Sequence, residues 1–202
     1  MRRSAQRGGT PVTARPIAPF LLQVAGWLLA MFFLWWLATP VLTWPVAMLA
    51  ELIARVGLGD VVRSVEQHGE IITFVTSLRP PGASPGVRAV LEVPSNVRLF
   101  SFGLPMLAAL TLAAREPRPL RKLAIGYVVL VPVQAFSVIA DFLKNLTDDP
   151  AAMAQLGWAP WHREVIAFCY QFGTLILPTV APAIVWVLMH RRFLEDFAGR
   201  RA

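Results

Sequence analysis

Four stretches of the chain are almost wholly apolar, and the segments between them change period from helical to alternating. The first stretch runs from Ile17 to Thr39 with Gln23 as its only strongly polar residue in 23 positions, enough to cross a hydrocarbon layer of about 30 Å. It is longer than the roughly 7–15-residue apolar core of a cleavable signal peptide, so it is expected to stay as an anchor. The second, Leu99 to Ala114, has 16 residues bracketed by Arg98 and Arg115, whose side chains can snorkel to the two interfaces. The third runs from Leu123 to Ala140 and is closed by Asp141; the fourth runs from Val165 to Met189 and is closed by His190, Arg191 and Arg192. The pattern predicts an α-helical polytopic membrane protein of about four transmembrane helices at 17–39, 97–114, 123–143 and 165–189.

Between the first two spans the chain first keeps a helical period, with Val41, Leu42, Val46, Leu49, Ile53 and Val56 apolar and Glu51 and Arg55 four apart on one side. This predicts an amphipathic helix over 40–60, lying along the interface or leaning on the other helices. Pro40 and Pro45 predict a kink or break that separates it from the first span. From Val61 the period becomes two. Val61 to Glu66, Ile71 to Leu78 and Val87 to Val93 read as three short strands, joined by a turn at Gln67-His68-Gly69-Glu70 and a loop at Arg79-Pro80-Pro81-Gly82-Ala83-Ser84-Pro85-Gly86. Residues 61–96 are therefore expected to form a small antiparallel β meander, too apolar on one face to stand alone in water, resting on the membrane helices or on a partner. In 144–164, Asp149-Pro150 predicts the capped start of a short helix that Gly157 stops, and Trp158 and Trp161 sit where indoles anchor at an interface.

Composition agrees with a membrane protein: 56% hydrophobic against 15% charged residues, with mean hydropathy +0.56. The net charge of +7 would invite a nucleic-acid reading if the charges were spread over the chain, but they are not. Arg2, Arg3, Arg7 and Arg15 occupy the tail 1–16; Arg115, Arg118, Arg121 and Lys122 face only Glu116 in the turn 115–122; Arg191, Arg192, Arg200 and Arg201 outnumber Glu195 and Asp196 in 190–202. Residues 40–97 and 144–164 each carry one more acid than base. Basic residues near span ends are retained in the cytoplasm, which puts both termini and the 115–122 turn inside, puts the meander outside, and leaves no charge that calls for nucleic acid.

Polar residues inside the spans are the candidates for chemistry. Gln134, Ser137 and Asp141 recur at three and four in the third span and so form one stripe, which must face protein or water. Lys144 stands one turn beyond Asp141, and a local ion pair is the plain expectation; a contact to a partner or substrate is the functional one. Tyr170, Gln171 and Thr174 form a second polar group in the last span, expected to hydrogen-bond to the first. Cys169, the single cysteine, has no adjoining cation to favour a thiolate and reads as a packing residue. It also excludes an internal disulfide and a cysteine metal cluster. Ser101 has no histidine near it in sequence, and His162, beside Arg163 and Glu164, has no nucleophile. No metal-protease, Walker or nucleophile-elbow motif is present, and no cofactor is expected.

The order of strand Leu91-Glu92-Val93, span, basic turn Arg115-Glu116-Pro117-Arg118-Pro119-Leu120-Arg121-Lys122, proline-bearing span, outer loop and last span resembles the carboxy-terminal half of exosortases and archaeosortases. Those membrane cysteine transpeptidases carry a Cys, an Arg and a His at set places. Here the first place falls within Phe100-Ser101-Phe102-Gly103, which has no Cys, and the second falls near Asp141, of opposite charge; only His162 corresponds. No catalytic residue is carried over. Nearly the whole chain is similar to the exosortase H-associated membrane proteins, in the tracts Phe32-Phe33-Leu34-Trp35-Trp36, Ser64-Val65-Glu66-Gln67, Phe102-Gly103-Leu104-Pro105, Trp161-His162-Arg163-Glu164, Tyr170-Gln171-Phe172-Gly173 with Leu175-Ile176-Leu177-Pro178, and Arg191-Arg192-Phe193-Leu194. The resemblance implies a Gram-negative inner-membrane protein associated with a dedicated exosortase that processes proteins bearing a carboxy-terminal sorting signal. The resulting expectation is a non-catalytic accessory subunit whose candidate partner contacts are Gln134, Ser137, Asp141, Lys144, His162, Tyr170 and Gln171. The alternatives are a divergent membrane enzyme using His162 or Cys169 and, with least support, a small-solute transporter, which would want ionisable groups nearer midplane.

Overall fold

The computed structural model describes residues 17–80 and 90–197. The basic tail 1–16, most of the proline-glycine loop with the start of the expected third strand, and residues 198–202 lie outside the described residues.

Helix α1 runs without interruption from Ile17 to Leu58, through both Pro40 and Pro45. The expected division at residue 40 into a span and a separate amphipathic helix is thus corrected to one helix of 42 residues, about 63 Å long at 1.5 Å per residue. A turn of 3-10 helix, Gly59–Val61, leads into strands β1 (Val62–His68) and β2 (Ile71–Thr76), paired antiparallel around Gly69 at φ +65, where glycine meets no Cβ penalty. Strand β3 is Glu92–Asn96, not 87–93, and pairs with β2 with Phe74 opposite Val93 and Ile72 opposite Ser95. The sheet order is β1-β2-β3, a meander as expected. Pro94 is accepted because β3 is an edge strand.

The sheet rests on the helices. Ile72, Phe74 and Val93 are buried with Val46, Ala50 and Ala54 of α1 and with Val138, Phe142 and Leu146 of the long helix over Pro119–Asp148, and the rings of Phe74 and Phe142 stack at 4.2 Å between centroids. Small residues at 46, 47, 50 and 54 give α1 a flat face, which is why the sheet can lie close against it.

The second apolar stretch is broken in two: α2 (Arg98–Ser101), a turn at Phe102, and α3 (Gly103–Ala113). Helix α4 covers Pro119–Asp148, longer at both ends than the expected 123–143. Asp149 accepts the backbone amide of Ala151 and Pro150 opens α5 (Pro150–Leu156), which Gly157 stops at φ +64, as the sequence predicts. The last long helix begins at Pro160, not at 165, and consists of α6 (Pro160–Gln171), a π-helical turn over Phe172–Ile176 and α7 (Leu177–Met189). A short α8 (Arg191–Phe197) follows.

Three helical segments are long and apolar enough to cross a membrane, Ala18–Val61, Pro119–Asp148 and Pro160–Met189, and Arg98–Ala113 is a shorter apolar helix. Their contacts set directions. Trp35 and Trp36 of α1 meet Ser101 and Arg98, Phe20 meets Phe193, and Lys122 reaches the carbonyl of Met189 at 3.4 Å. The bundle therefore has a basic end, where α1 starts, α4 starts and α7 finishes, and a sheet end that carries β1–β3 and α5.

Candidate functional site

The stripe on α4 points inward, and the fold uses most of it. Asp141 accepts a hydrogen bond from the Ser95 hydroxyl of β3 at 2.6 Å, and Asn145 donates to the Asp141 carbonyl at 2.9 Å. Lys144 pairs with Asp148 one turn further on, and its ammonium stands 5.5 Å from the centre of the Tyr170 ring. The expected Asp141–Lys144 ion pair is corrected accordingly: each partner has a nearer one. A Ser–Asp bond ties the sheet to α4 at the edge of the shared core, and charge assistance makes it one of the stronger kinds.

Ser137 is buried, and its hydroxyl lies 2.8 Å from the carbonyl of Gly173 and 3.1 Å from that of Val133. The expected hydrogen bond between the two polar groups is not the one made: Ser137 reaches the backbone carbonyl of Gly173 on the last helix, not Tyr170, Gln171 or Thr174. Thr174 donates to Tyr170 O within its own helix at 2.8 Å, and Gln171 is exposed. Gln134 is buried with its Oε1 unpartnered, beside a cavity of about 10 Å³ that Ser101, Gly103, Pro178 and Pro182 also line.

The remaining candidates are scattered. His162 Nδ1 accepts the amide of Ala159 at 3.1 Å, so it caps α6, and its ring stacks on Trp161 at 3.8 Å. It makes no hydrogen bond or ion pair with the α4 stripe. Cys169 is half-buried and unbridged. Ser101 accepts a hydrogen bond from Trp35 Nε1 at 3.3 Å. Among the described residues no group of three or more His, Cys, Asp or Glu side chains could hold a metal ion.

Three polar residues outside the expected site reach carbonyls near the prolines of α1, among them Arg98, expected to snorkel to an interface, and Gln67, expected in a turn. Each proline removes an amide that would have served the carbonyl four residues earlier, so Pro40 frees the carbonyl of Trp36 and Pro45 that of Val41. Arg98 Nη2 lies 3.4 Å from Trp36 O; the same guanidinium sits 3.8 Å over the Trp36 ring and pairs with Glu70 at 2.8 Å. Gln67 of β1 donates to Pro40 O at 2.7 Å, and Tyr127 of α4 donates to Leu42 O at 2.8 Å. For Arg98 the signal is Pro40 itself, since a freed carbonyl in an apolar setting needs a donor from somewhere; Gln67 and Tyr127 add bonds to neighbouring carbonyls, for which the sequence holds no signal.

At the basic end Lys122 pairs with Glu116, and His190, almost fully buried, donates from Nδ1 to Trp186 O at 3.0 Å. Burial pushes its imidazole below the ordinary value, against that hydrogen bond.

Taken residue by residue, these groups hold helices and sheet in register. No curated protein and no solved structure matches the chain. A family model does match, over residues 14–193 and hence over the anchor, the sheet, the stripe and the last helix alike: the chain belongs to the exosortase H-associated membrane protein family.

Proposed function

We propose that this protein is a non-catalytic accessory subunit that binds an exosortase in the bacterial inner membrane, with four crossings, both termini in the cytoplasm and the sheet end outside. The family description supports the association, and the distribution of basic residues supports the orientation.

One observation carries the reading. While Val46, Ala50 and Ala54 of α1 pack on the sheet, the opposite face leaves Val41, Trp44, Met48, Leu52 and Val56 exposed, a row at helical spacing that continues the exposed Leu29, Phe33 and Leu37. Helices in membranes tilt by up to about 40°, and at that tilt the exposed row, which starts at Leu22 and reaches Val56 over about 51 Å of helix, still rises about 39 Å, more than the roughly 30 Å of the hydrocarbon core. Lipid cannot cover the whole row. An apolar stripe that continues past the hydrocarbon is the kind of surface that a protein partner covers. In the α4 stripe, by contrast, Asp141 and Ser137 are spent on Ser95 and Gly173 and Gln134 is buried, so the partner surface moves from Gln134, Ser137 and Asp141 to α1.

The test is co-purification of the cognate exosortase with the Leu52→Arg/Val56→Arg variant, set beside Glu66→Arg on the exposed face of the sheet. Loss of the exosortase and of sorting-signal processing, at unchanged protein level, is the expected result for the α1 variant alone. Retention of the exosortase by the α1 variant would overturn the assignment of this face.

A further inference from the structure

At the basic end, between the loop that precedes α4 and the last turn of α7, lies an open cavity of about 500 Å³ lined by Pro117, Arg118, Arg121, Lys122, Ile125 and Met189. Its charges are unevenly committed. Lys122 is held by Glu116, whereas Arg118 and Arg121 are exposed and, among the described residues, take part in no ion pair. Two guanidinium groups on one wall, three residues apart, suit the oxygens of one phosphate.

The rest of the lining is apolar and has a direction. Ile125 stands one turn into α4 from Arg121, and the exposed Val128 and Val129 continue the row a further turn along the same helix. The two helices that form the walls are candidate membrane spans that begin at Pro119 and end at Met189. The cations therefore lie at the boundary of the spans and the apolar row runs from them into the membrane-crossing part, the layout of a headgroup and an acyl chain.

We propose that this cavity seats an anionic phospholipid, its phosphate between Arg118 and Arg121 and an acyl chain along Ile125 and Val128. A soluble phosphate ester would use the two arginines but gain nothing from the apolar row, which is why the lipid is the better fit.

The test uses the full chain, purified in detergent, with phosphatidylglycerol and phosphatidylcholine as probes and bound lipid counted by native mass spectrometry. Arg118→Asn/Arg121→Gln removes both charges, and Asn tolerates the left-handed backbone at Arg118, φ +58. Arg63→Gln/Arg79→Gln, on the sheet end, loses the same charge. The parent and the sheet-end variant should prefer phosphatidylglycerol, and the basic-end variant should bind it about thirty-fold more weakly. Ile125→Ser keeps both arginines and should weaken lipid binding about fivefold while leaving the affinity for glycerol 3-phosphate alone. Equal binding of the two lipids by the parent, equal losses in the two charge variants, or full displacement of the lipid by glycerol 3-phosphate would overturn the proposal, the last by making the ligand a free phosphate.

Discussion

Two helices of this protein carry paired prolines and respond to them in opposite ways. In α1, Pro40 and Pro45 leave the helix α-helical from end to end, and carbonyls around them are met by long side chains from α2, β1 and α4. In the last helix, Pro178 and Pro182 are preceded by a π-helical turn: the amide of Leu177 reaches back to Phe172 O, so Gly173 O has no amide at the next position, which is Pro178, and the Ser137 hydroxyl takes it. The neighbours explain the difference. Around α1 there is room for Arg98, Gln67 and Tyr127 to stretch across. Around the last helix the crossings are too close for long side chains, since a Cβ on Gly103 would fall 2.2 Å from Pro178 O and 2.3 Å from Pro182 Cγ, and one on Gly173 would fall 3.2 Å from the Ser137 Cα. Proline in an apolar helix is thus accommodated by donors where space allows and by a change of hydrogen-bond register where it does not.

The sharpest way to break this comparison is Gly103→Ala. The obstructing atoms are backbone and ring, which cannot swing away, so a loss of about 3 kcal/mol is expected, at the upper end for overpacking. Thermal unfolding in detergent would measure it, and a melting temperature equal to the parent's would mean that the crossing is looser than described. Next in size is Ser137→Ala, which leaves Gly173 O buried without a donor and should cost about 1–2 kcal/mol; Ser137→Thr, which keeps a hydroxyl, should recover part of it in the same measurement.

On the α1 side the donors are individually replaceable, and the expected effects shrink. Tyr127→Phe and Gln67→Leu should each cost about 1 kcal/mol, read as shifts in a denaturant titration of the purified protein. Losses above those of Ser137→Ala would show that α1 depends on its donors more than the last helix does on its register change. The smallest effect belongs to Pro40→Ala. It restores an amide to Trp36 O, which Arg98 already serves, and should change stability by less than about 0.5 kcal/mol. A large gain would instead mean that Arg98 is a poor substitute for the missing amide.

Much of this architecture is legible in the chain because its cause is local. Apolar length and alternation mark the helices and the meander, Asp149-Pro150 and Gly157 bound α5 through capping and a left-handed φ, and the basic turn 115–122 closes α3 onto α4. The inward stripe at Gln134, Ser137 and Asp141 follows from helical spacing. What spacing does not contain is the partner: Asp141 and Lys144 are close enough in sequence to pair, yet Ser95 stands nearer to one and Asp148 to the other.

By itself, then, the sequence determined which segments are too apolar for water, where glycine, proline and aspartate start and stop them, and that β-period residues lie between the first and second spans. Only the tertiary structure decided that Pro40 and Pro45 do not divide α1, that the third strand pairs over Glu92–Asn96, and that a π turn precedes Pro178. The reason is the reach of the compensating bonds. The donors that meet the α1 carbonyls come from 27, 62 and 85 positions away, and the carbonyl that Pro40 frees is met by the side chain that the packed helices bring to it.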